Sequence, residues 1–120
     1  MDTQHPSYTD IMTGDRHIAD LLAKLKASPQ WGNMLVIVTY DENGGYWDHV
    51  PPPSGLGWGD RFGPGSRIPT LLIGPTVKKG FIDSTPYDTT SILKFITERF
   101  GLEPLPGVRE KMGDFVNALN

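Results

Sequence analysis

The sequence contains no cysteine among its 120 residues, which excludes a disulfide framework, a thiol nucleophile and a cysteine-ligated zinc site. Basic residues are too few for a nucleic-acid surface, because 14 Asp and Glu outnumber 11 Lys and Arg and the formal charge is −3. The longest apolar run, Met34 to Val38, is too short for a transmembrane segment. The first residues also lack the basic and apolar succession of a signal peptide, so we expect no export signal in this chain.

The length favours a single domain, residues 1–120, and the spacing of apolar residues predicts three helices within it. The first runs from Gly14 to Ser28, where apolar residues recur at i, i+3, i+4 and i+7. The second starts from a cap at Asp88 or Thr85 and runs to about Phe100. A weaker third helix is predicted near 109–119.

Two nearly continuous apolar and β-branched runs, residues 33–40 and 67–74, predict neighbouring strands. The first run has the pattern of a strand covered on both faces, which is typical of a central, parallel strand. The order of helices and strands is that of an α/β sheet. We therefore predict an α/β fold in which helices flank a small, partly parallel sheet.

Two acidic residues, Asp41 and Glu42, follow the first predicted strand directly. In an open α/β sheet, ligands bind beyond the carboxyl ends of the strands. Adjacent carboxylates repel each other, and a divalent cation is the usual way to hold both ionised. The alternative is an ordinary turn with two solvated acids, and spacing alone favours that reading. An EF-hand is excluded, because Tyr46 and Pro52 occupy its glycine and glutamate positions.

Three histidines complete the candidate chemistry. His17 falls beside the apolar stripe of the first helix and is expected to be solvated, whereas His5 and His49 lie in loops where an imidazole can reach a ligand or simply be exposed. The sequence has no G-x-S-x-G elbow, P-loop or dinucleotide fingerprint. The residues alone thus predict a carboxylate-bearing loop site without a defined reaction.

The segment from Thr39 to Pro53, TYDENGGYWDHVPPP, strongly resembles a segment of the bacterial phosphoesterase family of phospholipases C and acid phosphatases. Other segments resemble the carboxyl-terminal part of the same family: residues 5–6, 28–31, 63–69, 80–82 and 87–93. That family belongs to the alkaline-phosphatase-like superfamily. The resemblance implies a fragment of that α/β fold, with metal ligands at strand ends, and hydrolysis of phosphoric esters.

The resemblance also implies roles for five residues. Asp41 and Glu42 match the acidic pair that binds the active-site metal, a divalent ion whose identity the sequence leaves open. His5 matches a histidine near the transferred phosphoryl group, which makes it the candidate catalytic residue. Asp48 and His49 belong to the same segment and are expected to shape the loop or to line the edge of the substrate pocket.

By the same resemblance, the family's nucleophile and first metal ligands lie in an amino-terminal region absent here, and about the last third of a family member is present. The chain is then a metal-assisted hydrolase of a phospholipid or small phosphomonoester that lacks its nucleophile region. Alternatively, it is an inactive truncated member acting as a binding or surface-exposed protein. A third reading is a carbohydrate or lipid-headgroup module that uses Tyr46, Trp47 and Trp58. Missing strands would leave an edge open to self-association.

Overall fold

A computed structural model of the chain describes residues 3–54, 63–108 and 110–120. Its elements in chain order are α1 (Ile11–Lys26), β1 (Val36–Thr39), β2 (Thr70–Ile73) and α2 (Thr90–Phe100), with short 3-10 turns at Trp31–Asn33 and Val116–Ala118. The chain divides into two compact units. We call residues 1–51 and 65–75 the sheet unit, and residues 52–64 and 76–120 the C-terminal unit.

The sheet consists of β1 and β2, which run antiparallel with Val36 opposite Ile73 and Thr39 opposite Thr70. The prediction that the two apolar runs are neighbours is confirmed, but the prediction of a partly parallel sheet is wrong. A parallel pair needs a crossover, which is usually a helix. The described part of the connection, residues 40–54 and 63–69, contains no helix, and the chain returns in the opposite direction.

The burial of the sheet also differs from the prediction. All four residues of β1 are half-buried, and Leu71 of β2 is 61% exposed. Within the described residues β1 pairs with β2 alone, so it is not a central strand. The apolar run indicates a segment suited to burial on both faces. The described part of this chain does not supply the layers that would complete that burial.

Helix α1 begins three residues before the predicted start, because a polar cap rather than apolar spacing determines its first turn. The Asp10 carboxylate accepts a hydrogen bond of 2.7 Å from the backbone N–H of Thr13, as expected for a residue preceding a helix. The same bond is the main cause that lowers the pKa of Asp10. Lys24 and Lys26 lie in the last turn, where their positive charges interact favourably with the negative end of the helix dipole.

The C-terminal unit has a small aromatic core. Phe115 is buried, stacks on Tyr87 with ring centroids 4.8 Å apart, and meets Phe95 edge-on at 6.3 Å. Helix α2 ends at Gly101, whose φ of 62° closes it in the left-handed conformation. At the other end, the N-cap residue is Thr89, not the predicted Asp88 or Thr85, and the Asp88 carboxylate accepts the backbone N–H of Thr90 at 2.8 Å from one residue further out.

The predicted third helix is wrong for the part of residues 109–119 that the structure describes, where only a 3-10 turn at Val116–Ala118 forms. Gly113 packs so tightly on Tyr87 that a Cβ atom at Gly113 would lie 2.4 Å from that ring. Phe115 adopts a φ of 66°, which no α-helix accommodates. In the described ranges, no helix has the length and apolar character needed to span a membrane.

Candidate functional site

The acidic pair lies in a tight turn at the carboxyl end of β1. Asp41 and Glu42 are both exposed. Asp41 Oδ1 accepts the backbone N–H of Glu42 at 3.1 Å, and Glu42 Oε2 accepts the backbone N–H of Gly44 at 3.0 Å. Gly44 and Gly45 have φ values of 64° and 76°, which residues with side chains rarely adopt. The turn therefore engages one oxygen of each carboxylate and directs both acids to solvent.

Asn43 fixes this turn from within. Its Oδ1 accepts the backbone N–H of Gly45 at 3.1 Å, and its Nδ2 donates to the carbonyl of Tyr46 at 3.3 Å. The backbone N–H of Tyr46 donates in return to the Asn43 carbonyl at 3.1 Å. We predicted no role for Asn43 from the sequence. The signal that was available is that Asn before two glycines is typical of a turn closed by its own side chain.

A second segment is joined to the end of β1 through Gln4. The hydroxyl of Tyr40 donates to the side-chain carbonyl of Gln4, and the Gln4 amide donates to the carbonyl of Ile11 at 3.4 Å. Gly14 is buried, and its missing side chain leaves the space that the Gln4 side chain occupies. The residue before His5 is thus hydrogen-bonded to the residue before Asp41, and no pattern in the sequence predicts this bond.

His5 opens a turn of its own. Its carbonyl accepts the backbone N–H groups of Tyr8 and Thr9, both at 3.3 Å, and Ser7 adopts a φ of 73° within the turn. His5 Nδ1 lies 2.6 Å from the carbonyl oxygen of Pro6. Because a carbonyl oxygen only accepts, Nδ1 carries the hydrogen, so Nε2 is the ring nitrogen that is left to interact with other groups.

The turns that follow His5 and Asp41 approach each other closely. A Cβ atom placed on Gly44 would lie 3.6 Å from Cδ of Pro6, which is ordinary van der Waals contact. The side chains themselves do not form a complete site: across the described ranges, no three His, Asp or Glu side chains converge as a metal-binding group. The donors that are present, two exposed carboxylates, suit a hard divalent cation with further ligands from elsewhere. The metal stays a prediction.

Asp48 is the most highly engaged carboxylate near this turn. Arg67 donates to it through Nε at 2.9 Å and through Nη2 at 2.8 Å, and the backbone N–H of Arg67 adds a third bond at 3.2 Å. The backbone N–H of Val50 donates a fourth, at 3.0 Å. The hydrogen bond from Arg67 is the main cause that holds the pKa of Asp48 far below its usual range, and Asp48 in turn raises the pKa of Arg67.

The Asp48–Arg67 ion pair shows what Asp48 does in this structure. The Asp48 side chain is only 13% exposed, although it lies in a loop, so this carboxylate fixes the loop. Arg67 was missed by the sequence reasoning, since 19 residues separate the two and no local pattern pairs them. His49 is 84% exposed, with Nδ1 3.9 Å from Asp48 Oδ1, and it remains a candidate for the pocket edge.

Tyr46 and Trp47, which we call the aromatic tip, lie between the acidic turn and Asp48. Trp47 is 91% exposed and Tyr46 is 55% exposed. Trp58, the third aromatic residue of the predicted headgroup module, lies outside the described residues.

Comparison with known proteins gives consistent matches. The chain is 38% identical over 103 residues to non-specific phospholipase C1 of Arabidopsis thaliana, covering 76% of this chain and 19% of that protein. It is 30% identical over 149 aligned residues to a non-hemolytic phospholipase C of Pseudomonas aeruginosa, covering 98% of this chain and 22% of that protein. It is 33% identical over 143 aligned residues to phospholipase C B of Mycobacterium tuberculosis, covering 98% and 27%.

These relatives include plant as well as bacterial proteins, and the chain spans 19% to 27% of their length, less than the third that the resemblance implied. The model of the Phosphoesterase family matches residues 1–103, which include the acidic turn, the His5 segment and the Asp48–Arg67 ion pair. This chain therefore belongs to the Phosphoesterase family.

Proposed function

We propose that this chain carries part of the active site of a metal-assisted phosphoric-ester hydrolase, with Asp41 and Glu42 as metal ligands. The observation that carries the proposal is the joining of two segments at one end of β1. The Tyr40–Gln4 hydrogen bond holds the His5 turn beside the turn that presents the two exposed carboxylates. Carboxylate oxygens are suited to binding a divalent cation. An imidazole nitrogen is suited to interacting with a phosphoryl group.

Each residue of the chain has a defined task in this proposal. Asp41 and Glu42 hold the cation, which when bound supplies positive charge to polarise the phosphoryl oxygens. His5 presents Nε2 to the phosphoryl group, where it donates a hydrogen bond or moves a proton, depending on its protonation. The Asp48–Arg67 ion pair and Asn43 keep the connecting loop in position.

The reaction needs more than these residues provide. The chain matches about a fifth of the relatives' length, and its described residues include no three-ligand cluster. We therefore propose that the nucleophile and the remaining ligands come from a region outside this sequence. The names of the relatives favour a phospholipid substrate over a small phosphomonoester of the acid phosphatase type.

The same incompleteness favours a second candidate function. An inactive family member that binds phospholipid without cleaving it would also keep the exposed acidic turn and the aromatic tip. The two proposals differ in turnover, and a hydrolysis assay separates them.

The test is hydrolysis of a water-soluble aryl phosphocholine ester, with added Mn²⁺, Ca²⁺ or Zn²⁺, by this chain joined to the region proposed to supply the nucleophile. The hydrolase proposal expects metal-dependent turnover that is abolished in Asp41→Asn and Glu42→Gln. The matched control is Asp20→Asn, which removes an exposed carboxylate on α1. Turnover that persists without metal, or in both site variants, contradicts the proposal. If all proteins are equally inactive at high concentration, the binding function is favoured.

A further inference from the structure

We infer that the aromatic tip, Tyr46 and Trp47, docks onto the surface of a zwitterionic phospholipid bilayer. The inference rests on the proposed function, because it places the acidic turn at the surface where a phospholipid headgroup is found. It adds a partner and a docking element that the catalytic residues do not explain.

The exposure of the tip is the first observation. Trp47 leaves nine-tenths of its surface open to solvent, and Tyr46 more than half. An indole ring has a large apolar body and one N–H donor, so it is stabilised where apolar and polar surroundings meet. Trp and Tyr are for this reason enriched at the level of lipid headgroups.

The second observation is that the tip is held from both sides. On one side, Asn43 closes the acidic turn through its bonds to Gly45 and Tyr46. On the other side, Asp48 is bound by the guanidinium and the backbone of Arg67. A ring that is presented by fixed neighbours loses less conformational freedom on binding than a ring on a mobile loop. The exposed indole is therefore presented by an ordered turn.

The charge of the chain selects the type of bilayer. The net charge is −3, and the residues beside the tip include the two carboxylates of the acidic turn. Binding to anionic lipids relies on clusters of Lys and Arg near the surface. A zwitterionic surface imposes no such requirement, and a choline ammonium is attracted to the faces of Trp and Tyr rings.

A further group of exposed apolar side chains belongs to the segment that Gln4 joins to Tyr40. Tyr8, Ile11 and Met12 are each more than half exposed. They follow the His5 turn, which lies beside Gly44. These exposed side chains, which follow the His5 turn, are a second apolar group of the sheet unit that is open to contact with a lipid surface.

The test uses the full chain with Trp31→Phe and Trp58→Phe, which leave Trp47 as the reporter. On titration with phosphatidylcholine vesicles we expect a blue shift of its emission, and we expect the wild-type chain to co-sediment with the vesicles. Trp47→Ala in the wild-type background should weaken co-sedimentation at least about tenfold, since it removes a large apolar side chain from the interface. Trp31→Phe is the matched control and should co-sediment as the wild type does.

The inference is overturned if the emission of Trp47 does not change with vesicles or is already blue-shifted before lipid is added. It is also overturned if Trp47→Ala co-sediments as well as the wild type does, or if the wild type prefers anionic to zwitterionic vesicles. Asp41→Asn separates this inference from the proposed function, because it should lose metal binding and still co-sediment. In the wild-type chain, absent docking with intact metal binding overturns the docking inference alone, and docking with absent metal binding overturns the proposed function alone.

Discussion

The hydroxyl of Tyr40 donates a hydrogen bond to the side chain of Gln4, and this single bond joins the residue before His5 to the residue before Asp41. The two segments are 36 residues apart along the chain. Their proximity at the end of β1 is the geometric basis of the candidate site. The bond is exposed, so water competes with it and its removal should loosen the site without unfolding the sheet unit.

Tyr40→Phe is expected to release the His5 turn while β1 and β2 remain paired. The change removes the donor and keeps the ring, so the loss is one hydrogen bond, worth about 1 kcal/mol. Amide hydrogen exchange of Tyr8 and Thr9 should accelerate about fivefold. The matched control is Tyr8→Phe, which removes a phenolic hydroxyl from the same turn. Equal exchange in Tyr40→Phe and the wild type would show that the bond does not hold the turn.

Gly14→Ala should have a similar effect from the opposite side. A Cβ atom at this position would lie 2.2 Å from Cγ of Gln4, so the Gln4 side chain must move away. The helix itself gains from Ala, by up to about 1 kcal/mol. We therefore expect the thermal stability of α1 to hold or rise while exchange at Tyr8 and Thr9 increases. Gly32→Ala, with nothing within 4 Å of its Cβ, should leave the turn unchanged.

The Asp48–Arg67 ion pair should make the loop resistant to mild acid. The pKa of Asp48 lies below its unfolded value, so its stabilising effect is present above the unfolded pKa of about 3.9 and is lost as the pH falls through the folded value. The fluorescence anisotropy of Trp47, measured with the other tryptophans replaced, should hold at about pH 4 and fall only at lower pH.

Arg67→Met removes the partner, and the anisotropy of Trp47 should then be low already at neutral pH. Arg67→Lys keeps the charge and loses the paired geometry, so it should restore the anisotropy only in part. A rigid Trp47 in Arg67→Met would show that the ion pair does not fix the loop.

The Tyr87 hydroxyl in the C-terminal unit should ionise only at high pH. Burial, together with the hydrogen bond of 2.7 Å that its hydroxyl donates to Asp83, raises the pKa of Tyr87 to about 12. A raised pKa stabilises the fold below the unfolded value of about 10, and this effect is lost as the pH rises through the folded value. Absorbance near 295 nm should show one of the four tyrosines ionising later than the others. Tyr87→Phe should remove that late step, and an unchanged titration would contradict the assignment.

Apolar spacing and breaker residues were enough to predict the two strands as neighbours and both main helices. Such patterns are local, and the structure contains the two main helices and the two strands that they predict. Strand direction was predicted wrongly, because it depends on the connection between the strands, whose described part contains no crossover helix, and not on the apolar run itself. The third helix was predicted wrongly because the close approach of Gly113 to Tyr87 depends on a residue 26 positions away.

The site was predictable to a similar extent. Asp41 and Glu42 could be found because a polar pair directly follows an apolar strand. Gln4 and Arg67 were not found, since their roles come from hydrogen bonds to distant parts of the chain, whereas Asn43 was overlooked although its bonds are local. The signals that sequence provides are local, whereas the bonds that join Tyr40 to Gln4 and Arg67 to Asp48 are long-range.

In the proposed function, the acidic turn anchors a divalent cation beside His5. The most direct measurement is paramagnetic broadening of the protein's NMR signals at substoichiometric Mn²⁺. We expect selective broadening of the amides of Asp41 to Gly45 and of the His5 ring, with the His17 ring unaffected, and loss of this pattern in Asp41→Asn. Broadening spread evenly over the exposed carboxylates, or retained in Asp41→Asn, would contradict the proposed function.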